Sequence, residues 1–227
     1  MQINVQTYDQ VQSSFEGRSH LLIGNGFSID CDPIFHYGSL YDKAVKNGLS
    51  KRAQAVFIKL GTNNFEAVMY SLSLGHWLAH LYGLSKGETS DFLQDLESVK
   101  ATLLESIATS HPEHTGVISD ARKRSAGIFF KSFENVFTTN YDLLPYWVDM
   151  ASGERPFFQD NFRDDKDDSG SLIFTDQTRG RRGMYFIHGA LHLFMDGQNI
   201  RKHTWSKTRE RLTSLVCKGL AFNRVPL

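Results

Sequence analysis

The chain has 227 residues, of which 41% are hydrophobic and 22% are charged, values typical of a globular protein with one sizeable core. Its 25 basic and 25 acidic side chains cancel, which argues against nucleic acid or a membrane surface as a partner and leaves a small molecule open. No apolar run approaches the roughly 20 residues that span a bilayer, and the polar N-terminal stretch lacks the features of a signal peptide. We therefore expect a cytoplasmic protein.

The predicted elements begin with a strand and a glycine-rich turn. His20–Ile23, with the sequence HLLI, is an apolar run that stops at Gly24-Asn25-Gly26, a pattern typical of a buried strand that enters a tight turn. The residues that follow, up to position 38, predict a loop. Apolar residues at spacings of three and four then predict helices that begin near Leu40, Phe65, Ser90 and Gly116.

Two more apolar, β-prone runs follow, at residues 135–137 and 184–187. The order strand, long helical region, strand, helix, strand indicates an α/β protein with a parallel sheet and a helical insertion at about residues 40–130. We predict a single domain over residues 1–227. The polar segment 160–183 is interpreted as an exposed loop that can include a short hairpin, and residues 225–227 as the approach to another strand, so that the open sheet lacks its C-terminal strands.

Polar residues follow each of the three predicted strands. They are the glycine turn at residues 24–26, the Thr-Thr-Asn-Tyr-Asp sequence at 138–142, and His188-Gly189. Because ligands of open parallel sheets bind outside the carboxyl ends of the strands, we expect the three clusters to converge on one crevice. Each cluster alone is typical of ordinary turns and caps, whereas the three together favour a binding site.

The sequences LLIGNGFS, FTTNYDLL and FIHGALHLF, which contain these clusters, resemble three motifs of the SIR2-like NAD-binding family. The corresponding sirtuin patterns are G-A-G-x-S, T-x-N-x-D and a His-Gly pair, and they occur here in the same order over about residues 20–195. The resemblance implies a Rossmann-like three-layer fold. It is closest to a branch of the family that acts in antiviral defence and carries the sequence T-T-N-Y-D.

The resemblance also implies a role for each matching residue. Asn140 is expected to hold the ribose or the attacking water, Asp142 to bind the nicotinamide carboxamide, and His188 to act as the general base. An imidazole suits this task because it can accept a proton at physiological pH. The remaining residues expected to contact NAD are Gly24, Asn25, Gly26, Phe27 and Ser28, which would line the diphosphate turn, with Thr139 and Gly189.

The sequence departs from the sirtuin pattern in two respects. The four-cysteine zinc module that follows the His-Gly pair in sirtuin deacylases is missing, so no metal is expected and hydrolysis of NAD is favoured over protein deacylation. Asn25 also replaces the usual alanine of the glycine turn. We predict an NAD hydrolase that releases nicotinamide and ADP-ribose, and the resemblance implies a role in prokaryotic antiviral defence by NAD depletion.

Two alternatives to hydrolysis remain open. The first is a domain that binds NAD or ADP-ribose without turnover, and the second is NAD-dependent ADP-ribosyl transfer or deacylation. Because unregulated hydrolysis of NAD would be toxic, we expect control through formation of a homo-oligomer or through a regulatory partner protein.

Overall fold

The computed structural model of the chain describes residues 5–151, 153, 156–166, 170–175, 182–204 and 210–221. The helices of these residues are α1 Tyr8–Ser13, α2 Asn25–Cys31, α3 Tyr37–Lys46, α4 Lys51–Leu60, α5 Phe65–Leu81, α6 Lys86–Ser110, α7 Asp120–Lys131, α8 Leu144–Met150 and α9 Leu212–Ala221. The strands are β1 His20–Ile23, β2 Asn135–Thr138, β3 Phe162–Asp164, β4 Leu172–Phe174, β5 Met184–Phe186, β6 Leu193–Asp196 and β7 Asn199–Lys202.

The first sheet is parallel, and it contains the three predicted strands in the order β1-β2-β5. Ile23 lies opposite Thr138, and Thr138 lies opposite Phe186, so the three strands end at one edge of the sheet. The α/β class with a parallel sheet is therefore confirmed. Between β1 and β2, α2 follows the first strand directly, and helices α3 to α7 occupy residues 37–131, close to the predicted insertion.

The two faces of the parallel sheet differ in burial. One face packs Ile23, Val136 and Met184 against α7 and α8 in a compact apolar cluster. The other face carries a cross-strand row of Leu22, Phe137 and Tyr185. Leu22 is 64% exposed, so in the described part of the chain this second face is open to solvent. Parallel sheets are usually covered on both faces, and here the described helices cover one.

The helical region forms the largest core of the protein. Phe57, Phe65, Val68 and Val99 are almost fully buried in this core, together with Leu143 and other residues beyond the end of β2. The helices therefore pack against the edge of the sheet where the strands end. This arrangement brings helical side chains close to the predicted site.

Helix α5 is capped at its N-terminus by Asn64 and packs closely against α6 at Gly75. The side chain of Asn64 caps its N-terminus, accepting hydrogen bonds from the backbone N–H groups of Glu66 and Ala67. Gly75 does not interrupt the helix, although glycine lowers helix propensity. A Cβ atom at this position would lie 2.8 Å from Cε1 of Phe92, so the glycine allows α6 to approach closely.

One prediction of local structure is wrong, and another is confirmed. The glycine sequence at residues 24–26 is not a tight turn followed by a loop, because α2 begins at Asn25 directly after the strand. The reason is packing: α2 buries Ser28 completely and places Phe27 5.3 Å from Phe130 between ring centroids. Within the segment 160–183 the short hairpin that the sequence allowed is present, and it is formed by β3 and β4.

The hairpin of β3 and β4 belongs to a second, antiparallel sheet that the sequence did not predict, with the order β3-β4-β7-β6. Its strands have three or four residues, which is too short for alternation to give a clear signal. Residues 225–227, predicted to approach another strand, lie outside the described residues. None of the helices in the described part of the chain is both long enough and apolar enough to cross a membrane.

Candidate functional site at the strand ends

Backbone hydrogen bonds join the three predicted clusters at one edge of the parallel sheet. The N–H of Thr139 donates to the carbonyl of Ile23 at 3.0 Å, which links the end of β2 to the end of β1. The N–H of Ile187 donates to the carbonyl of Thr138 at 3.0 Å, which links the end of β5 to β2. The glycine segment, the Thr-Thr-Asn-Tyr-Asp segment and the His-Gly segment therefore lie side by side.

Three buried side chains form a hydrogen-bonded network beneath this edge. Nδ2 of Asn140 donates to Oγ of Ser28 at 2.7 Å, and the Ser28 hydroxyl in turn donates to Oδ2 of Asp142 at 2.5 Å. All three residues are almost fully buried. The Ser28 hydroxyl, predicted to face a diphosphate, is therefore used inside the protein to hold the carboxamide of Asn140.

Asp142 is held in place on both sides of its carboxyl group. Its Oδ1 accepts the backbone N–H of Leu144 at 2.9 Å, at the start of α8, while its Oδ2 accepts the Ser28 hydroxyl. Burial raises the pKa of Asp142 to about 6, although both hydrogen bonds favour the charged form. In this structure Asp142 supports the network and α8, whereas the prediction assigned it to the carboxamide of nicotinamide.

His188 pairs with a glutamate from the helical region. Nδ1 of His188 lies 3.2 Å from Oε1 of Glu66, the second residue of α5. The His188 ring also lies beside Tyr141, with 6.4 Å between ring centroids, so it is next to the segment that carries Asn140. The two side chains are 41% and 40% exposed, which leaves the pair accessible to a ligand.

A hydrogen bond between His188 and Glu66 determines what the imidazole can do. With Nδ1 carrying the proton that is donated to Glu66, Nε2 is left with a lone pair that can accept a proton. A carboxylate in this position also stabilises the imidazolium that forms after proton transfer. The pair therefore has the composition of an oriented general base.

Two tyrosines surround the glutamate of this pair. Burial, followed by the charge of Glu66, raises the pKa of both Tyr37 and Tyr141. Like other tyrosines, both are protonated at neutral pH, and their hydroxyl groups can donate hydrogen bonds. The groups near His188 are therefore two neutral hydroxyl donors, from Tyr37 and Tyr141, and the carboxylate of Glu66.

A buried histidine fixes the backbone of the same segment. Nε2 of His111 accepts the N–H of Leu143 at 2.9 Å, and its Nδ1 lies 2.9 Å from the carbonyl oxygen of Pro112, to which it donates. Its ring packs edge-on against Phe35 and Trp147. Burial lowers the pKa of His111 to about 4, so it is neutral at physiological pH.

Two cavities border the paired side chains. Asn140, Thr139, Asn25 and Glu66 line a small one of about 40 Å³, which has room for water-sized molecules only. His188 lies at the border of a second, larger cleft of about 550 Å³, between β5 and the antiparallel sheet. The second volume is in the range of small-molecule binding sites, and the walls of the cleft include Phe162, Phe174, Tyr185 and Phe186.

The remaining predicted contact residues have structural tasks as well. Gly24 precedes the first turn of α2 in an extended conformation, and Gly26 and Phe27 lie within the helix. Nδ2 of Asn25 donates to the carbonyl of Phe35 at 3.1 Å. Gly189 has φ of 77°, a conformation that favours glycine, and its N–H closes a turn to Phe186. These residues lie at or near the strand ends, and of the five only Asn25 lines the small cavity.

Sequence reasoning missed Glu66, Tyr37 and His111, all of which come from the helical region. Glu66 sits in the first turn of α5, where an acidic residue is typical of an ordinary helix start. Nothing in its local sequence indicates that it faces His188, which is 122 positions away along the chain. In the described residues no group of three or more His, Cys, Asp or Glu side chains is placed to hold a metal ion.

The fold and the site together define an α/β protein with an oriented histidine and a buried asparagine at the carboxyl ends of a parallel sheet. The chain belongs to the family described as a domain of unknown function (DUF4917), whose model matches residues 21–225. The assignment to the SIR2-like family is therefore wrong, since no SIR2 family matches the chain. Three short motifs of common residue types were too small a basis for it. A comparison with curated proteins found no match.

Proposed function

We propose that the protein hydrolyses the N-glycosidic bond of NAD and releases nicotinamide and ADP-ribose. The observation that carries the proposal is the His188–Glu66 pair at the border of an aromatic cleft, next to the segment that holds Asn140. The proposal rests on this geometry and no longer on a family resemblance. The role in antiviral defence was implied by the resemblance alone, and this geometry does not bear on it.

The reaction needs a base and a hydrogen-bonding group more than a strong nucleophile. The bond between C1′ of the ribose and the pyridinium nitrogen breaks, and its electron pair leaves with neutral nicotinamide. A water oxygen forms the new bond to C1′, and the proton of that water passes to Nε2 of His188. General-base catalysis of this kind contributes roughly 10²–10⁴-fold to a rate.

Each neighbouring side chain supports one part of this chemistry. Glu66 keeps the proton of the resting imidazole on Nδ1 and then stabilises the imidazolium. Ser28 holds the nitrogen of Asn140, which leaves the carboxamide oxygen to accept a hydrogen bond from a water molecule in the small cavity. The aromatic cleft offers flat apolar walls on which a heteroaromatic ring can stack.

The test is release of nicotinamide from NAD by the purified chain, separated and quantified by chromatography. His188→Ala and Asn140→Ala are expected to lower the rate by about 100-fold or more. The matched control is His20→Ala, because His20 begins β1 at the opposite edge of the sheet. The control is expected to retain the activity of the wild type.

The other outcomes distinguish the alternatives. Binding of NAD measured by calorimetry, without release of nicotinamide, would replace the proposal with a domain that binds NAD or ADP-ribose. A protein adduct of ADP-ribose in the mass spectrum would indicate transfer rather than hydrolysis. A protein that neither binds NAD nor releases nicotinamide from it would overturn the proposal. Cell fractionation would test the cytosolic location that the proposal assumes.

A further inference from the structure

One face of α5 is apolar and exposed, opposite the face that packs into the core. Tyr70, Leu74, Trp77 and Leu81 are 69%, 39%, 58% and 65% exposed, and we call these four residues the α5 seam. Val68 and Leu72, on the other side of the helix, are almost fully buried. A helix that is apolar on both sides normally has a partner on both sides. One partner is α6, and the other is missing in the described residues.

The spacing of the α5 seam is that of a helix-pairing surface. Its residues follow one another at intervals of four, three and four positions, which is the a and d repeat of a heptad. At 3.6 residues per turn these positions form a single stripe. A short seam would not hold two isolated helices together, but α5 is already fixed against α6, so pairing does not have to order it.

We propose that the occupant of this surface is a second copy of the chain, with the two α5 helices antiparallel across a twofold axis. When that axis passes between Leu74 and Trp77, Trp77 packs against Leu74 of the second copy and Tyr70 packs against Leu81. Every aromatic residue then faces a leucine, which alternates large and small side chains across the contact. A parallel arrangement would instead place Trp77 against Trp77.

Charge and area also fit a self-association surface. No Asp, Glu, Lys or Arg occurs between Glu66 and Lys86, so two copies of the surface meet without like-charge repulsion. With the flanking Leu78 and Tyr82, the exposed area of these six residues is roughly 800 Å² per chain. An interface of standard size buries about 800 Å² on each partner.

The test is the molar mass of the full chain in solution, measured by sedimentation velocity over a wide range of concentrations. The wild type is expected to be a dimer, and Trp77→Glu is expected to raise the dissociation constant by about 30-fold or more. The matched control is Ile128→Glu, which changes an apolar residue on α7 that is at least as exposed as Trp77, and this variant is expected to remain a dimer. Circular dichroism spectra and melting temperatures show whether each variant is folded.

A charge-pair experiment tests the orientation of the helices and does not depend on one variant alone. Leu81→Glu and Tyr70→Lys are each expected to be monomeric, and an equimolar mixture is expected to form a heterodimer because positions 81 and 70 face each other. A monomeric wild type overturns the proposal, as does a dimer that Trp77→Glu leaves intact. A monomer that binds neutral lipid vesicles through Trp77 would also overturn it, by assigning the surface to lipid.

Discussion

Replacement of His111 by glutamine is expected to change the pH dependence of stability, because it removes a buried imidazole that must be neutral in the folded protein. His111 uses one ring nitrogen as a donor to Pro112 and the other as an acceptor from Leu143. A second proton on Nε2 would point at the Leu143 N–H and remove that hydrogen bond. Burial is the main reason that the pKa of His111 falls to about 4 from its usual 6.5.

The lowered pKa makes the contribution of His111 to the free energy of unfolding depend on pH. The contribution of His111 is present above pH 6.5, where the unfolded chain is also neutral, and it is lost as the pH falls towards 4. Between pH 7 and pH 4.5 the loss is about 2.5 kcal/mol. At pH 7, His111→Gln is expected to be less stable than the wild type by about 1–2 kcal/mol, since its amide fits the two partners less well.

The free energies of unfolding of the wild type and of His111→Gln must be compared at each pH, because two buried carboxyl groups change the stability of both proteins with pH in the opposite direction. Burial raises the pKa of Asp142 and of Asp149 to about 6, so these residues add stability as the pH falls from 7 to 4. Urea denaturation at several pH values gives the free energy of unfolding of each protein. The difference is expected to shift by about 2.5 kcal/mol in favour of His111→Gln on acidification.

The exposed His80 provides the control for this experiment. His80→Gln makes the same substitution at an exposed position, where it removes no buried hydrogen bond, and at pH 7 it is expected to leave the free energy of unfolding within about 0.5 kcal/mol of the wild type. If the free energies of unfolding of the wild type and of His111→Gln, plotted against pH, stay parallel to within about 0.5 kcal/mol, the reasoning is refuted. Such a result would mean that His111 is protonated without cost, and that its hydrogen bond to Leu143 does not hold.

Three further predictions concern single contacts. Ser28→Ala is expected to cost about 3 kcal/mol in urea denaturation, because it leaves Asn140 and Asp142 without their buried partner, and a loss below about 1 kcal/mol would contradict the network. Gly61→Ala is expected to lower stability by about 1 kcal/mol, and Gly61→Asn by less, because Gly61 ends α4 with φ of 62°; equal stability of the two would contradict this. Glu66→Gln is expected to lower nicotinamide release by about 10-fold or more without a change in the circular dichroism spectrum, and an unchanged rate would remove Glu66 from the proposed mechanism.

The sequence predicted the parallel sheet because each of its strands is an apolar run that ends abruptly in polar or glycine residues. The same rule placed Asn140 and His188 at neighbouring strand ends, which the hydrogen bonds from Thr139 and Ile187 now describe. The glycine sequence after β1 was misread, since Gly-Asn-Gly is typical of turns and the packing of Phe27 and Ser28 that favours a helix is not visible locally. The antiparallel sheet was missed because its strands are so short.

The partners of the site residues could not be predicted, because they depend on contacts between distant parts of the chain. Ser28 and Asn140 are 112 positions apart, and Glu66 and His188 are 122 positions apart. The sequence placed the glutamate at a helix start, which is correct, and the serine in a turn, which is wrong because Ser28 lies within α2. Their role at the site appears only when the helical region packs against the strand ends.

Helix α5 shows how one element serves the core, the site and the exposed surface at once. Its capped N-terminus presents Glu66 to His188, Val68 and Leu72 bury its inner face, and the α5 seam lies on its outer face. Gly75 keeps α6 close to it, which holds the helix in a fixed position relative to the core. Because α5 is one continuous helix, it is stiff. A contact along the α5 seam that moved its backbone would therefore also move the Glu66 carboxylate. Activity measured at concentrations above and below the dissociation constant of the dimer would show whether the two are coupled.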